Sequence, residues 1–225
     1  MNWPLLFPYR IPRLMQRIFP AVRFYVPGQQ KKVYLTFDDG PVEGVTDKVL
    51  DMLKKYDAKA TFFCVGKNIE AAPDLYRRIW QEGHEIGNHT YGHCNGWKTT
   101  TGEYVAGVEG FMQISQRILP EKNIRFFRPP YGQMTWRQYQ EIKKDFCPVL
   151  WDVLSGDYEP SAIAEKIVQR VVKSVQPGSI IVFHDSIKAS ASVLQAVPEV
   201  LQYFSQEGWS FCSLPDPDEG LPKNL

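Results

Sequence analysis

The sequence predicts an α/β fold, a distorted (β/α)7-8 barrel. Patterns typical of strands and of helices alternate from residue 33 to residue 214, as they do in right-handed βαβ units. The 225 residues suit one barrel of this kind. An open nucleotide-binding sheet is disfavoured, because no Gly-x-Gly-x-x-Gly or phosphate-binding loop follows the first predicted strand.

Seven strands are predicted from short runs of apolar, β-branched and aromatic residues. The first is Val33–Phe37, and the sixth, 179–183, is nearly all apolar, as expected of a strand buried on both faces. In chain order, the predicted strands cover residues 33–37, 60–65, 84–88, 124–127, 148–152, 179–183 and 209–214.

Helices are predicted between the strands, where apolar residues recur three and four positions apart. The second helix begins near Pro73, a residue favoured in a first turn, and ends at Gly83. Ser161 is predicted to cap the fifth helix. In order, the helices cover residues 43–56, 73–83, 101–119, 135–145, 161–175 and 190–206.

Three regions are expected: an N-terminal arm over residues 1–30, one catalytic domain over 31–214 and a tail over 215–225. Residues 1–27 carry four arginines, no acidic residue and many aromatic or branched residues. Such a basic apolar segment can lie peripherally on an anionic membrane, or it can pack across the outside of the barrel. We expect no cleavable signal peptide and no membrane-spanning segment, which leaves a cytoplasmic or membrane-peripheral location open.

Composition narrows the function classes. The formal net charge is +1, which disfavours nucleic acid as a partner and suits a weakly charged substrate such as carbohydrate. The four cysteines form no Cys-x-x-Cys pair, so a zinc ribbon or redox motif is not expected. Cys94 follows His93 and is either a loop thiol or a metal ligand. The sequence makes no prediction about the oligomeric state.

Acid, base and metal-ligand side chains follow the carboxyl ends of five predicted strands, the rim where barrel active sites assemble. One carboxylate and two imidazoles there would bind a divalent cation and leave coordination positions open for water and substrate. A second carboxylate beside them could act as a base. His84 opens its strand, at the opposite rim, and is expected to be structural. The rim residues are Asp38, Asp39, His89, His93, Arg128, Asp157 and His184.

Four ordered motifs resemble those of the polysaccharide deacetylase family, also called the NodB homology domain or carbohydrate esterase family 4. They are Thr36–Gly40, His89-Thr90-x-x-His93, Arg128–Gly132 and Ile180–Asp185. The resemblance runs from about Lys32 to Leu214. It implies a barrel of the NodB-homology type and a metal-dependent hydrolase that removes an N-acyl group, most simply acetyl, from an amino sugar in a polysaccharide.

The resemblance also implies a metal triad of Asp39, His89 and His93. Zn²⁺ is the expected ion, although such a nitrogen and oxygen site also accepts Co²⁺ or Ni²⁺. The alternative for two histidines four residues apart is a solvated or core pair. Adjacent side chains on a strand point to opposite faces, so the turn at Gly40-Pro41 must rotate one of the two neighbouring carboxylates inward.

By the same resemblance, the acid–base roles fall on five further residues. Asp38 matches the general base, and Arg128 matches the residue that holds this base ionised and oriented. The Tyr131 backbone N–H matches an oxyanion donor. His184 matches the general acid, and Asp157 matches the carboxylate that raises the pKa of His184. Simpler alternatives remain open: a second ligand or turn cap for Asp38, a substrate clamp for Arg128, a plain turn at Tyr131 and a buried histidine at position 184.

The substrate pocket departs from the family pattern at two positions. Tyr158 stands where Trp is usual, and Val182 stands where Leu is frequent, so the acyl group is less securely defined. Pro130 and Trp151 complete the substrate-binding residues that we expect. Four aromatic rings could be sugar platforms or ordinary core and surface residues, namely Trp97, Trp136, Trp151 and Tyr158.

Other functions remain compatible with this sequence. A deformylase or deacylase of a lipid-linked sugar, or an amidase acting on a small non-sugar amide, could use the same residues. A catalytically inactive carbohydrate-binding module belongs to another class, and it is disfavoured because every catalytic position is filled. An N-acetylated glycan is the expected substrate. The resemblance also implies an extracytoplasmic location, in contrast to the cytoplasmic or membrane-peripheral location that the first residues leave open.

Overall fold

The computed structural model describes residues 9–218. Residues 1–8 of the predicted arm and residues 219–225 of the predicted tail lie outside this range. No helix among residues 9–218 combines the length and apolarity that crossing a bilayer requires.

The strands of the described chain form one parallel sheet in the order β5-β4-β3-β2-β1-β7-β6, and β8 pairs with the start of β1. The sheet curls into a barrel. The barrel is incomplete because, within residues 9–218, its two end strands β5 and β6 do not pair with each other. The predicted distorted barrel is confirmed. The strands are β1 Lys32–Asp38, β2 Ala60–Cys64, β3 Glu85–Asn88, β4 Phe126–Phe127, β5 Cys147–Pro148, β6 Val153–Leu154, β7 Ile180–His184 and β8 Ser210–Phe211.

The helices lie mainly between successive strands. Capping boxes begin two of them, with Thr100 and Glu103 at α5 and Thr135 and Gln138 at α6. The helices are α1 Met15–Ile18, α2 Thr46–Lys55, α3 Gly66–Ala71, α4 Pro73–Gln81, α5 Thr101–Ile118, α6 Trp136–Ile142, α7 Ala164–Ser174 and α8 Ser190–Gln206. Short 3₁₀ turns occur at Gly96–Lys98, Pro130–Gly132 and Ile187–Ala189.

Alternation along β1 separates two hydrophobic clusters. Leu35 and Phe37 face outward and pack with the helices in one cluster, whereas Tyr34 faces the barrel interior in the other. The same alternation puts Thr36 and Asp38 on the interior face, above Tyr34. The interior of the barrel is thus apolar below and polar at the carboxyl end of β1.

The N-terminal arm contributes to the interior cluster. Ile11, Val22, Phe24 and Val26 are buried there, so these apolar residues are not available to a membrane surface. The exposed part includes Leu14 and Ile18, at 60% and 58%. Membrane contact through residues 1–27 stays a prediction.

The predicted fifth strand, 148–152, has the wrong bounds, because β5 ends at Pro148 and the short strand β6 was not predicted. Residues 149–152 cross the gap between β5 and β6, and two of their backbone groups bind the arm. The Leu150 N–H donates to the Arg23 carbonyl at 2.8 Å, and the Asp152 carbonyl accepts from Ile11 N–H at 3.1 Å. An irregular segment at the barrel opening has the same apolar composition as a strand, so the pattern could not separate them.

One helix prediction also needs correction, and two short helices, α1 and α3, were missed. Ser161 does not cap α7, because this helix starts at Ala164 with Ile163 at the N-cap position and no side-chain cap. The short helix α3 was not predicted. It occupies six residues directly after β2, too few for an apolar periodicity to show.

Candidate active site

The end of β1 brings two carboxylates to the carboxyl rim. Asp38 lies opposite His184 of β7 in the parallel register. Asp39 then adopts φ +83°, a left-handed conformation that non-glycine residues seldom take. This is the rotation that two neighbouring carboxylates need in order to share one site.

Hydrogen bonds hold the turn on both sides of Asp39. The Asp39 N–H donates to the Phe63 carbonyl at 3.3 Å, and Asn68 Nδ2 donates to the Asp39 carbonyl at 2.6 Å. The next N–H, of Gly40, donates to Asp185 Oδ1 at 3.0 Å. A Cβ at Gly40 would lie 2.0 Å from Asp185 Oδ2, so only glycine fits here.

Asp39, His89 and His93 converge as the sequence predicted. Asp39 Oδ1 lies 3.1 Å from His93 Nε2 and 3.7 Å from His89 Nε2. One ligand atom from each residue lies within 4.8 Å of the others. His89 Nδ1 is 2.8 Å from the Arg128 carbonyl, an arrangement in which Nδ1 carries the proton and Nε2 is free to bind a metal.

The donor set fits a divalent cation. Asp39 Oδ1 is buried and accepts no hydrogen bond from residues 9–218, an unusual state for a buried oxygen unless an ion satisfies it. Burial lowers the pKa of His89 to about 4, so its imidazole is neutral at pH 7, as a metal ligand must be. Burial opposes ionisation of Asp39, but the imidazoles of His93, His184 and His89 keep its pKa below the ordinary value.

Cys94 is not part of this cluster. Its backbone N–H donates to Thr90 Oγ1 at 3.0 Å, and its side chain packs against the interior hydrophobic cluster. The structure therefore favours the loop-thiol interpretation of Cys94 over the metal-ligand one.

Arg128 fixes the second carboxylate. Its Nη1 donates to Asp38 Oδ1 at 2.6 Å and to Thr36 Oγ1 at 2.7 Å, while Nη2 donates to the Leu150 carbonyl at 3.0 Å. The guanidinium is fully buried and lies 4.0 Å from the centre of the Phe63 ring. No described residue donates a hydrogen bond to Asp38 Oδ2, so this oxygen can take up a proton.

His184 and Asp157 form the second acid–base pair. His184 Nδ1 lies 2.8 Å from Asp157 Oδ1, and Asp157 Oδ2 accepts from the His184 N–H at 2.7 Å. Ser155 Oγ donates to Asp157 Oδ1 at 2.9 Å. Burial alone would lower the pKa of His184, but the Asp157 carboxylate, with smaller contributions from Asp39 and Asp38, raises it to about 9.

Tyr131 lies beside the metal triad. It has φ +60°, and its ring meets the His93 ring edge-on at 4.6 Å between centroids. The side chain is 57% exposed. The predicted role of its backbone N–H remains a prediction.

The predicted substrate residues differ in exposure. The Tyr158 ring packs edge-on against His184 at 5.0 Å and is partly exposed. Val182 and Pro130 are buried, and Trp151 is only 6% exposed, so its ring face is covered and at most an edge could reach a sugar. Trp136 is 54% exposed, and Trp97 is half-buried.

Several supporting residues were not predicted. Thr36 could have been found, because it lies two positions before Asp38 and therefore on the same face. Asn68 and Ser155 carry no sequence signal for their roles. Asp185 ends the fourth motif, but the sequence does not indicate that its carboxylate accepts the Gly40 N–H. His84 is buried, its Nδ1 accepts from the Ala60 N–H at 3.2 Å, and burial lowers its pKa to about 4, which agrees with its predicted structural role.

Known proteins share both sequence and fold with this chain. The sequence profile of the polysaccharide deacetylase family matches residues 25–145. A peptidoglycan-N-acetylglucosamine deacetylase of Bacillus cereus is 35% identical over 197 residues, covering 87% of this chain and 71% of the relative. A chitooligosaccharide deacetylase of Azorhizobium caulinodans is 34% identical over 157 residues, covering 69% and 74%.

A solved structure extends the similarity to three dimensions. The Bc1960 peptidoglycan N-acetylglucosamine deacetylase, in complex with 4-naphthalen-1-yl-N-oxidanyl-benzamide, superposes with a TM-score of 0.83 and 33% identity. The match covers 91% of this chain and 95% of the other.

Proposed function

The chain belongs to the polysaccharide deacetylase family, and we propose from this that it is a metal-dependent hydrolase removing an N-acyl group, most simply acetyl, from an amino sugar of a glycan. Relatives named as deacetylases of peptidoglycan N-acetylglucosamine and of chitooligosaccharide support such a substrate. An inactive binding module is disfavoured, since each predicted acid–base and metal position carries a residue suited to its role.

The orphaned Asp39 Oδ1, facing two imidazole nitrogens at 3.1 and 3.7 Å, supports the proposal most directly. Asp39, His89 and His93 would hold the cation, for which Zn²⁺ is our choice and Co²⁺ or Ni²⁺ are alternatives. A divalent cation bound there supplies Lewis-acid activation of the attacking water and of the acyl carbonyl.

Asp38 is suited to take a proton from the attacking water. Arg128 occupies Oδ1, which keeps the carboxylate oriented and leaves Oδ2 for the proton. The rigid Pro129-Pro130 segment presents the Tyr131 N–H, which we assign to the developing oxyanion.

His184 is suited to protonate the leaving nitrogen. Because Nδ1 is engaged by Asp157, the proton to be delivered is the one on Nε2. A pKa of about 9 keeps the imidazole charged at neutral pH. The ring of Tyr158 packs on this imidazole and, with Val182 below it, would form part of the acyl pocket.

Acetate release tests the proposal. The purified protein is incubated with chitooligosaccharides and with peptidoglycan, once loaded with Zn²⁺ and once after treatment with a chelator. We expect acetate only from the loaded protein and recovery when Zn²⁺ is restored. Equal release before and after chelation would contradict metal dependence, and no release from any N-acetylated glycan would contradict deacetylation.

A further inference from the structure

Asp185 is a fully buried carboxylate, and among residues 9–218 it is bound by an N–H and a hydroxyl rather than by a cationic side chain. Burying a carboxylate is costly unless other groups compensate, and here burial raises the pKa of Asp185 to about 7. The chemistry proposed above does not use this side chain. The free-energy cost of burying this carboxylate must therefore be offset by the hydrogen bonds that it forms with the neighbouring backbone and side chains.

The carboxylate binds the turn that follows β1. Oδ1 accepts from the Gly40 N–H at 3.0 Å, and Oδ2 accepts from Thr46 Oγ1 at 2.6 Å. Thr46 Oγ1 in turn accepts from the Val42 N–H at 2.8 Å. The carboxylate thus ties the turn between Gly40 and Thr46 to the end of β7.

Asp39 lies between two anchors provided by this one residue. On one side, the Asp185 N–H donates to the Asp38 carbonyl at 3.0 Å, and on the other the carboxylate holds the Gly40 N–H. Between them, Asp39 has φ +83°, a conformation that costs about 1–2 kcal/mol for an L-residue. Release of either anchor would let the backbone relax and turn the Asp39 carboxylate away from His89 and His93.

We infer that Asp185 is a positioning residue for the metal ligand Asp39, acting through the backbone of the Gly40–Thr46 turn. The inference rests on the proposed metal site. Asp185 is fully buried, and its carboxylate binds Gly40 and Thr46 rather than the three ligand side chains. Its effect is therefore on metal affinity rather than on a proton-transfer step.

Zinc affinity of the metal-free full chain tests this inference. Asp185→Asn removes one of two acceptors, since an amide cannot accept through both ends. Asp152→Asn is the control, because Asp152 is also buried and accepts from Ser179 Oγ at 2.9 Å and from the Ile180 N–H at 2.8 Å. Unlike Asp185, it also pairs with Arg13 at 3.3 Å. Asp152, however, lies at the opposite end of β7.

We expect Asp185→Asn to weaken zinc binding about 10–100-fold, the range typical for residues that orient ligands. Asp152→Asn should bind zinc with the affinity of the wild type, even if the substitution lowers the melting temperature of the protein. Wild-type zinc affinity in a folded Asp185→Asn protein would overturn the inference. A wild-type protein that binds no zinc would instead overturn the proposed metal site.

A second pair of variants covers the case in which Asp185→Asn does not fold. Thr46→Val removes the hydroxyl that Asp185 binds, and Thr46→Ser keeps it. Weaker zinc binding in Thr46→Val with recovery in Thr46→Ser supports the positioning role. Equal zinc affinity in these two variants contradicts it.

Discussion

At the residue scale, strained backbone is concentrated at the candidate site. Asp39, Thr90, His93 and Tyr131 all have φ between +55° and +83°, although none is glycine. Such conformations persist only where surrounding contacts enforce them, and they are frequent at functional sites. The proposed metal ligands are thus held in place by the fold, an arrangement that favours tight and selective binding.

Metal binding and turnover should separate at two neighbouring positions. His93→Ala should lose zinc and activity together, because it removes one of three ligands. Asp38→Asn should retain zinc and lose at least about 100-fold in kcat, since it removes the base but no ligand. Zinc content by atomic absorption and acetate release, measured on the same samples, check both expectations.

Two outcomes would contradict these assignments. Full activity in His93→Ala would show that His93 is not a ligand. Loss of zinc in Asp38→Asn would make Asp38 a ligand and place the base elsewhere.

The pH profile should report His184. A general acid must be protonated, and with a pKa of about 9 the protonated fraction falls as pH rises through that value. We therefore expect kcat to fall above about pH 9. Asp157→Asn removes the main group that raises this pKa, so the alkaline limb should move to lower pH.

Glu159→Gln is the matched control for the pH profile, because it removes a charge from the same loop without contact to His184. Its alkaline limb should stay where the wild type has it. An Asp157→Asn profile with an unmoved limb would show that another group is the acid.

At the scale of elements, the N-terminal arm should be part of the folded core. Phe24→Ala should lower the free energy of unfolding by about 3–5 kcal/mol, because Phe24 is fully buried in the interior cluster. Ile18→Ala, on the same arm but 58% exposed, should change it by less than about 0.5 kcal/mol. Urea unfolding of both variants gives the comparison, and equal effects would contradict the packing of the arm.

Elements with strong periodicity were predictable from the sequence, and those set by long-range pairing were not. Apolar repeats and recognisable start or stop signals predict four helices, namely α2, α4, α5 and α8. Apolar runs predict three strands, namely β1, β2 and β7. The segment 149–152 had the composition of a strand, but two of its backbone groups bind the arm, more than a hundred residues earlier. Local composition does not contain that information.

At the scale of the whole molecule, parallel topology explains why the site could be predicted at all. Parallel strands bring their carboxyl ends to one rim, so residues that follow separate strands meet there. The exact contacts could not be predicted in the same way. Asp185 and Gly40 are 145 positions apart, and the left-handed φ of Asp39 depends on contacts from several elements.

In the proposed site, Asp39, His89 and His93 together hold one divalent cation at the carboxyl rim of the barrel. A crystal structure of the zinc-loaded protein, with anomalous data collected at the zinc absorption edge, tests it most directly. We predict one strong anomalous peak bonded to Asp39 Oδ1, His89 Nε2 and His93 Nε2. A map without a peak between these three atoms, from crystals grown with excess zinc, would contradict it.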